Sequence, residues 1–165
     1  MTNYPEVIFH PIGSIISPHQ DLEGMPIQPT GARGVKGRII LNPDLVDGLK
    51  DLEGFSHLVL IYFFHRSEGY ELQIKPFLDD DKRGVFATRA PRRPNKIGIS
   101  VVKLLGIQGN VLEIEDLDML DGTPVLDIKP FIPHLDHLDD VRLGWLEEKL
   151  GEFEQTRSDD RFIKD

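Results

Sequence analysis

Short runs of β-branched and aromatic residues, separated by turn residues, recur along most of this chain. Such runs are typical of strands, and most links between them are too short for the crossover helix that a parallel pair of strands requires. Gly109 and Asn110 leave room only for a tight turn between two runs, which favours a hairpin. The pattern predicts a largely antiparallel sheet, with strands over residues 7–16, 35–41, 55–64, 71–77, 84–88, 100–107, 111–117 and 124–128.

Two segments have the pattern of helices. Residues 43–52 follow Asn42, a good N-cap, begin with Pro43 and are followed by Gly54. Over residues 137–156, apolar side chains recur at spacings of three and four, which predicts one amphipathic helix. These side chains are Leu138, Val141, Trp145, Leu146, Leu150 and Phe153. Seven or eight antiparallel strands covered by one C-terminal helix predict a mainly β fold, a small closed or nearly closed β-barrel.

Length and composition fit a single domain of 165 residues. We expect the barrel to cover residues 1–136 and the C-terminal helix, over 137–156, to belong to the same domain. Residues 157–165 are charged and aperiodic, which predicts a frayed tail. The absence of cysteine excludes disulfides and thiolate metal sites. The longest apolar run, residues 58–64, is far shorter than the roughly 20 residues of a membrane span, so we expect a cytoplasmic protein.

Charge is distributed very unevenly along the chain. Residues 82–103 contain seven basic residues and no acidic one, whereas the remaining residues contain 12 basic and 28 acidic side chains. A local basic patch on a chain of net charge −9 favours a shaped anionic ligand over general coating of nucleic acid. The alternative is a solvated loop that is basic only for solubility. The seven residues are Lys82, Arg83, Arg89, Arg92, Arg93, Lys96 and Lys103.

Several common catalytic motifs are absent from the sequence. There is no GxGxxG, GxxxxGK, GxSxG or HExxH, so dinucleotide folds, P-loop enzymes, α/β-hydrolases and zincins have no support. His134 and His137 lie near Asp136, Asp139 and Asp140 and could ligate a metal. They also precede the predicted helix, where Asp and His commonly cap turns. We therefore expect no metal site.

Four motifs occur in a characteristic order, and through them the chain resembles the TsaA-like family over residues 8–136. They are GMPIQP (24–29), LEGFSHLVLIYFFHR (52–66), GVFATRAPRRPNKIGISVVKL (84–104) and LDGTPVLDIKPFIPHLD (120–136). The resemblance implies an antiparallel β-barrel, usually a homodimer, that binds S-adenosylmethionine without a Rossmann element. The cofactor contacts that it implies are Pro26, Ile27, Gln28, His65, Arg66, Arg89, Ile99, Asp121, Gly122, Thr123 and Pro124.

The family includes tRNA adenine-N6-methyltransferases that act beside the anticodon on threonylcarbamoyl-adenosine. The resemblance thus implies this activity, with the anticodon loop of tRNA as partner. For the proton acceptor we nominate Asp127, with Asn95 as a second candidate. Two departures from the family pattern bear on substrate binding, since Lys96 replaces a proline and Phe131 a tyrosine. We expect phosphate or the acidic threonylcarbamoyl group to be bound by four basic residues, Arg92, Arg93, Lys96 and Lys129.

Two other functions stay open at this point. One is a binding module that senses S-adenosylmethionine or docks RNA without chemistry. The other keeps methyl transfer but uses a small molecule or another RNA as the acceptor.

Overall fold

The computed structural model describes residues 4–162 and has a closed barrel of six antiparallel strands, in the order β1-β2-β7-β6-β3-β8. A separate two-stranded sheet is formed by β4 and β5. The prediction of a mainly β, antiparallel barrel is therefore confirmed. The strands are β1 (Gly13–Ile16), β2 (Lys36–Leu41), β3 (His57–Phe63), β4 (Gln73–Ile74), β5 (Arg83–Gly84), β6 (Ile97–Gln108), β7 (Val111–Glu115) and β8 (Pro124–Pro130).

Alternation of side chains along the strands builds the barrel core. In β3, Leu58, Leu60 and Tyr62 point inward and are buried, while the residues between them face outward. Residues that lie opposite one another on paired strands share a face, so each strand adds a row to the same core. The β6–β7 hairpin closes through Gly109, whose φ of +59° suits glycine. The fully buried members include Ile15, Ile39, Leu58, Leu60, Val102, Leu112, Ile114 and Val125.

Three predicted strands are shorter than expected. The run 7–16 enters the sheet only at Gly13, because Pro11 has no N–H for the ladder. The runs 71–77 and 84–88 supply only β4 and β5, outside the barrel. Residues Val85–Ala87 instead form a 3-10 turn, and the side chain of Val85 is buried beside Ile74.

The predicted interior helix is present in part. Residues Pro43–Leu49 form a 3-10 helix, and the side chain of Asn42 accepts a hydrogen bond from the Asp44 N–H at 3.2 Å, as expected of an N-cap. This helix ends with Lys50 as its C-cap, and the next residue, Asp51, has a φ of +67°. A separate 3-10 turn then covers Leu52–Gly54.

The C-terminal segment differs from the predicted helix over residues 137–156. A single α-helical turn, α1 (Pro133–Asp136), is followed by 3-10 turns at Gly144–Leu146 and Leu150–Glu152. Gly144 has a φ of +58°, which interrupts a right-handed helix. The indole N–H of Trp145 donates to the Ala87 carbonyl at 2.8 Å, so a tertiary contact sets the course of the chain here.

The predicted frayed tail is ordered over residues 157–162. Arg157 pairs with Pro26 in an isolated β-bridge, and the Ser158 hydroxyl donates to the Leu22 carbonyl. Phe162 is buried, with its ring 4.9 Å from that of Phe77. These apolar and backbone contacts outweigh the charge of the segment. Residues 163–165 of the predicted tail lie outside the described residues. No helix within 4–162 has the length and hydropathy to cross a membrane.

Candidate active site

A large cavity lies where β6 and β7 diverge. β6 pairs with β3 from Ile97 onward but with β7 only from Lys103 onward, so residues 97–102 keep one backbone edge that no described strand occupies. The cavity, of about 1130 Å³, borders this edge. Its other walls include residues 25–30, the basic segment (residues 82–103) and the C-terminal segment. A space of this size can enclose a cofactor together with part of a second ligand.

Most of the residues that the sequence implies as cofactor contacts line this cavity. They come from separate parts of the chain: the turn after Gly24, the end of β3, the basic segment, β6 and the loop before β8. The fold therefore collects them around one space. The eight lining residues are Pro26, Ile27, Gln28, His65, Arg66, Arg89, Ile99 and Thr123.

The remaining three implied contacts, Asp121, Gly122 and Pro124, are not among the lining residues. The carboxylate of Asp121 accepts the Ser17 N–H at 2.9 Å, and Gly122 has a φ of +73°. Pro124 lies opposite Ser14 where β8 meets β1. These residues shape the turn that presents Thr123 to the cavity.

The guanidinium groups of Arg66 and Arg89 at the cavity form no hydrogen bond and no salt bridge within residues 4–162. Arg66 and Arg89 are exposed and line the wall, and neither donates a hydrogen bond to a described residue. Burial, and then the charge of Arg66, lower the pKa of His65, so its imidazole is neutral at pH 7. A neutral imidazole offers one donor and one acceptor, while a free guanidinium suits a carboxylate or a phosphate.

Three polar side chains form a hydrogen-bonded group in the wall, which we call the polar floor: Tyr62, Ser100 and Asp118. The Ser100 hydroxyl donates to Asp118 Oδ1 at 2.8 Å and lies 3.2 Å from the Tyr62 hydroxyl. Since the single proton of Ser100 goes to Asp118, Tyr62 is the donor to Ser100. Burial raises the pKa of Asp118 to about 6, against opposing effects of the Ser100 bond and the Arg89 charge. Burial also raises the pKa of Tyr62, which keeps it protonated.

Sequence reasoning did not identify the polar floor. Tyr62 and Ser100 occupy inward positions of β3 and β6 and therefore fit the pattern of core residues. One signal was available, because Ser100 lies in the same inward-facing row as the buried residues Gly98 and Val102, and Asp118 lies between the buried apolar residues Leu117 and Met119. A serine and an aspartate at such positions need partners.

A further hydroxyl was also missed. Ser67 is 8% exposed, lines the cavity, and its Oγ has no hydrogen-bond partner among the described residues. Buried hydroxyls are normally paired, so an unpaired one in a cavity wall is suited to a polar ligand. The carbonyl of Ser67 accepts the Lys96 Nζ at 2.7 Å.

The predicted substrate-binding cations are mostly engaged in holding loops. Arg92 is 9% exposed and pairs with Glu71 at 3.1 Å, so its guanidinium lies inside the protein. Arg93 lines the cavity and donates to the Thr88 carbonyl at 3.1 Å. Lys96 has the bond to Ser67 described above. Lys129 pairs with Asp127 at 2.7 Å.

The two nominated proton acceptors lie away from the cavity wall. Asp127 is opposite Ile61 on the outward face of the barrel, and its carboxylate also accepts the Ile128 N–H at 2.9 Å. Asn95 is exposed, and its backbone carbonyl accepts the Ile97 N–H. Neither side chain is among the cavity-lining residues.

Apolar side chains of the C-terminal segment complete the wall, including Trp145, Leu150 and Phe153. Phe86 also lines the cavity and is 76% exposed. No cluster of three or more potential metal ligands occurs in the part of the chain that the structure describes.

Comparisons with known proteins agree on one family. Residues 14–137 match the family described as tRNA-methyltransferase O N-terminal domain. A probable S-adenosyl-L-methionine-binding protein of Pyrococcus abyssi is 49% identical over 157 residues, which cover 95% of this chain and 85% of that protein. The human tRNA (adenine(37)-N6)-methyltransferase is 36% identical over 139 residues, covering 79% of this chain but only 31% of that enzyme. A crystal structure of TrmO from Pseudomonas aeruginosa matches with a TM-score of 0.73 and 40% identity, covering 85% of this chain and 62% of that one.

Proposed function

Since the chain belongs to the tRNA-methyltransferase O N-terminal domain family, we propose that it is an S-adenosylmethionine-dependent methyltransferase. Its proposed acceptor is the exocyclic N6 of the threonylcarbamoyl-adenosine next to the anticodon of tRNA. The observation that carries this proposal is the convergence of eight implied cofactor residues on one cavity that also contains unpaired cationic groups. Relatives named as methyltransferases of adenine 37 in tRNA support the choice of acceptor.

The cavity has the chemistry that S-adenosylmethionine requires. Its walls combine apolar residues such as Ile99 and Met119 with the neutral imidazole of His65 and the unpaired hydroxyl of Ser67. The guanidinium of Arg66 or Arg89 suits the carboxylate of the methionine group. Relatives named as binding proteins for this cofactor support the assignment. When bound, the cofactor supplies an electrophilic methyl group on a sulfonium.

The exposed groups of the cavity wall suit a tRNA anticodon loop. Arg66 and Arg89 offer positive charge to phosphate or to the threonyl carboxylate on a protein whose net charge is −9. Phe86 stands exposed in the same wall, and an exposed aromatic ring beside cations is suited to stack on an unpaired base. Such a loop has splayed bases, which a cavity can admit without melting a duplex.

A homodimer in the cytoplasm is part of the proposal. Exposed apolar residues lie on the outward faces of β3 (Phe63) and β6 (Ile97 and Ile99), and Ile97 and Ile99 also border the cavity, so this face adjoins the site. Ile61 lies between Ile99 and Asp127 on the same face. Apolar residues grouped on one sheet face favour contact with a protein surface. Sedimentation of the purified protein measures its oligomeric state directly, and a monomer at all concentrations would contradict the proposed homodimer.

The decisive experiment is methyl transfer in vitro. Purified protein is mixed with labelled S-adenosylmethionine and tRNA that carries threonylcarbamoyl-adenosine, and nucleosides are then read by mass spectrometry. We expect N6-methyl-threonylcarbamoyl-adenosine from wild-type protein, and a Phe86→Ala variant with weaker tRNA binding but unchanged cofactor affinity. Cofactor binding without transfer to any tRNA would favour the non-catalytic module, and transfer only to other acceptors would favour a different substrate.

A further inference from the structure

The carboxylate of Asp118 lies in the cavity wall and accepts a hydrogen bond from the Ser100 hydroxyl. The hydrogen bonds of the polar floor run from Tyr62 to Ser100 and from Ser100 to Asp118 Oδ1. All three side chains line the same cavity as the implied cofactor contacts. A carboxylate that is held in a defined orientation and faces a ligand cavity can serve as a general base.

We propose that Asp118 is the proton acceptor of the methyl transfer, with Ser100 and Tyr62 as the residues that position it. This inference rests on the proposed function and specifies its chemistry. Asp127 has a different environment, since Lys129 neutralises it on the outer face of the barrel and it does not line the cavity. The position and the partners of Asp118 therefore suit the role better.

The acceptor nitrogen needs such a base. N6 carries one hydrogen, and its lone pair is delocalised into the purine ring and the carbamoyl group. As the lone pair forms the new N–CH₃ bond, the electrons of the broken S–CH₃ bond remain on sulfur, which becomes a neutral thioether. The N6 proton moves to Asp118 Oδ2, because Oδ1 already accepts the Ser100 hydroxyl. Charge is balanced, since one sulfonium and one carboxylate are both neutralised.

The surroundings of Asp118 keep it available in its charged form near neutral pH. Burial raises its pKa to about 6, while the Ser100 hydrogen bond and the charge of Arg89 act against that rise. Arg89 belongs to the basic segment, Tyr62 to β3 and Ser100 to β6. The other charged groups of the cavity wall are Arg33, Arg66, Arg93, Asp116, Glu154 and Asp159. A base with a pKa near 6 is mostly ionised at pH 7 and can still hold a proton in the transition state.

The first test uses Asp118→Asn, with the exposed Asp51→Asn as the matched control. We expect Asp118→Asn to lower the single-turnover rate by about 10² or more, with cofactor affinity within about threefold of wild type. Asp51→Asn is expected to match wild type in both. A tenfold or greater loss of cofactor affinity in Asp118→Asn would mean that Asp118 binds the cofactor, and a near-normal transfer rate would mean that it takes no proton. Either result would overturn the proposal.

The second test does not depend on the folding of the Asn variant. Ser100→Ala removes a hydrogen bond that lowers the pKa of Asp118. We expect the acidic limb of the rate profile, and the carboxyl titration of the free protein followed by NMR, to move together to higher pH by about one unit. A titration that moves while the rate profile stays fixed would overturn the role of Asp118. If wild-type protein methylates no tRNA, the proposed function itself fails. An active wild type with unaffected variants removes only this inference.

Discussion

The partly buried carboxyl of Asp118 imposes a pH dependence on folding stability that the Asp118→Asn substitution should remove. Burial raises the pKa of this group from an ordinary value of 3.8 to about 6. The native state then holds the proton more tightly than the unfolded chain. Stability contributed by this group is greatest below about pH 4, falls as the pH rises toward 6, and is constant above that.

The size of the effect follows from the pKa difference. About two pKa units at 1.36 kcal/mol each correspond to about 3 kcal/mol of folding free energy, present at low pH and lost by pH 7. Asparagine is neutral throughout and can still accept the Ser100 hydrogen bond. Hence Asp118→Asn should be more stable than wild type above pH 6, by up to about 3 kcal/mol, and similar to it near pH 4.

Urea unfolding at several pH values between 4 and 8 provides the measurement. Other carboxyl groups, such as Asp79 and Asp159, have lowered pKa values and act in the opposite direction. They are common to both proteins, so the difference between the two stability curves isolates Asp118. A difference that stays flat across this range would refute the argument, because it would mean that Asp118 ionises as easily in the folded protein as in water.

Three further predictions concern packing, loop structure and ligand binding. Gly98→Ala should destabilise the protein by about 1 to 3 kcal/mol in urea unfolding, because the new Cβ would clash with the Tyr62 ring. Gly106→Ala, with nothing within 4 Å of its new Cβ, is the control, and equal effects would contradict this reasoning. Arg92→Ala should cost about 1 to 3 kcal/mol of folding free energy by removing the pair with Glu71, while cofactor affinity is retained. The control, Lys82→Ala, should change neither folding stability nor cofactor affinity. A stable Arg92 variant that fails only in tRNA binding would restore Arg92 as a substrate contact. Arg89→Ala should weaken binding of S-adenosylmethionine in calorimetry without lowering the melting temperature, since Arg89 is exposed and forms no hydrogen bond or salt bridge to a described residue; unchanged affinity would place the cofactor carboxylate elsewhere.

The strands and the β6–β7 hairpin were predictable because their signals are local: alternation marks the strands, and the Gly109 turn sets the hairpin. Pairs such as β3–β6 join strands that are distant in the chain, and for them the TsaA-like resemblance, which the family match confirms, supplied the barrel. The cavity could not be predicted from such local signals. Its wall depends on where β6 leaves β7, and no periodicity in β6 marks the point at which pairing ends.

In the C-terminal segment, by contrast, the local pattern predicted a helix that the structure does not have. Its apolar spacing has the period of a helix, yet Gly144 adopts a positive φ and Trp145 is held by Ala87. Tertiary contacts thus overrode a helical pattern that is weak in isolation. The polar floor escaped prediction for a related reason, because Tyr62, Ser100 and Asp118 meet only after three distant segments have packed together.

The docking of residues 157–162 has a consequence for how the protein folds. Ser158 bonds to Leu22 and Met25 across more than 130 residues of sequence, and Phe162 packs on Phe77. Contacts of such separation form late, because the entropy of closing a long loop has to be overcome first. On the ribosome, the barrel strands emerge well before these residues do. The ligand cavity therefore gains this wall only after all the barrel strands have been synthesised, and a nascent barrel without residues 157–162 has no complete site to occupy.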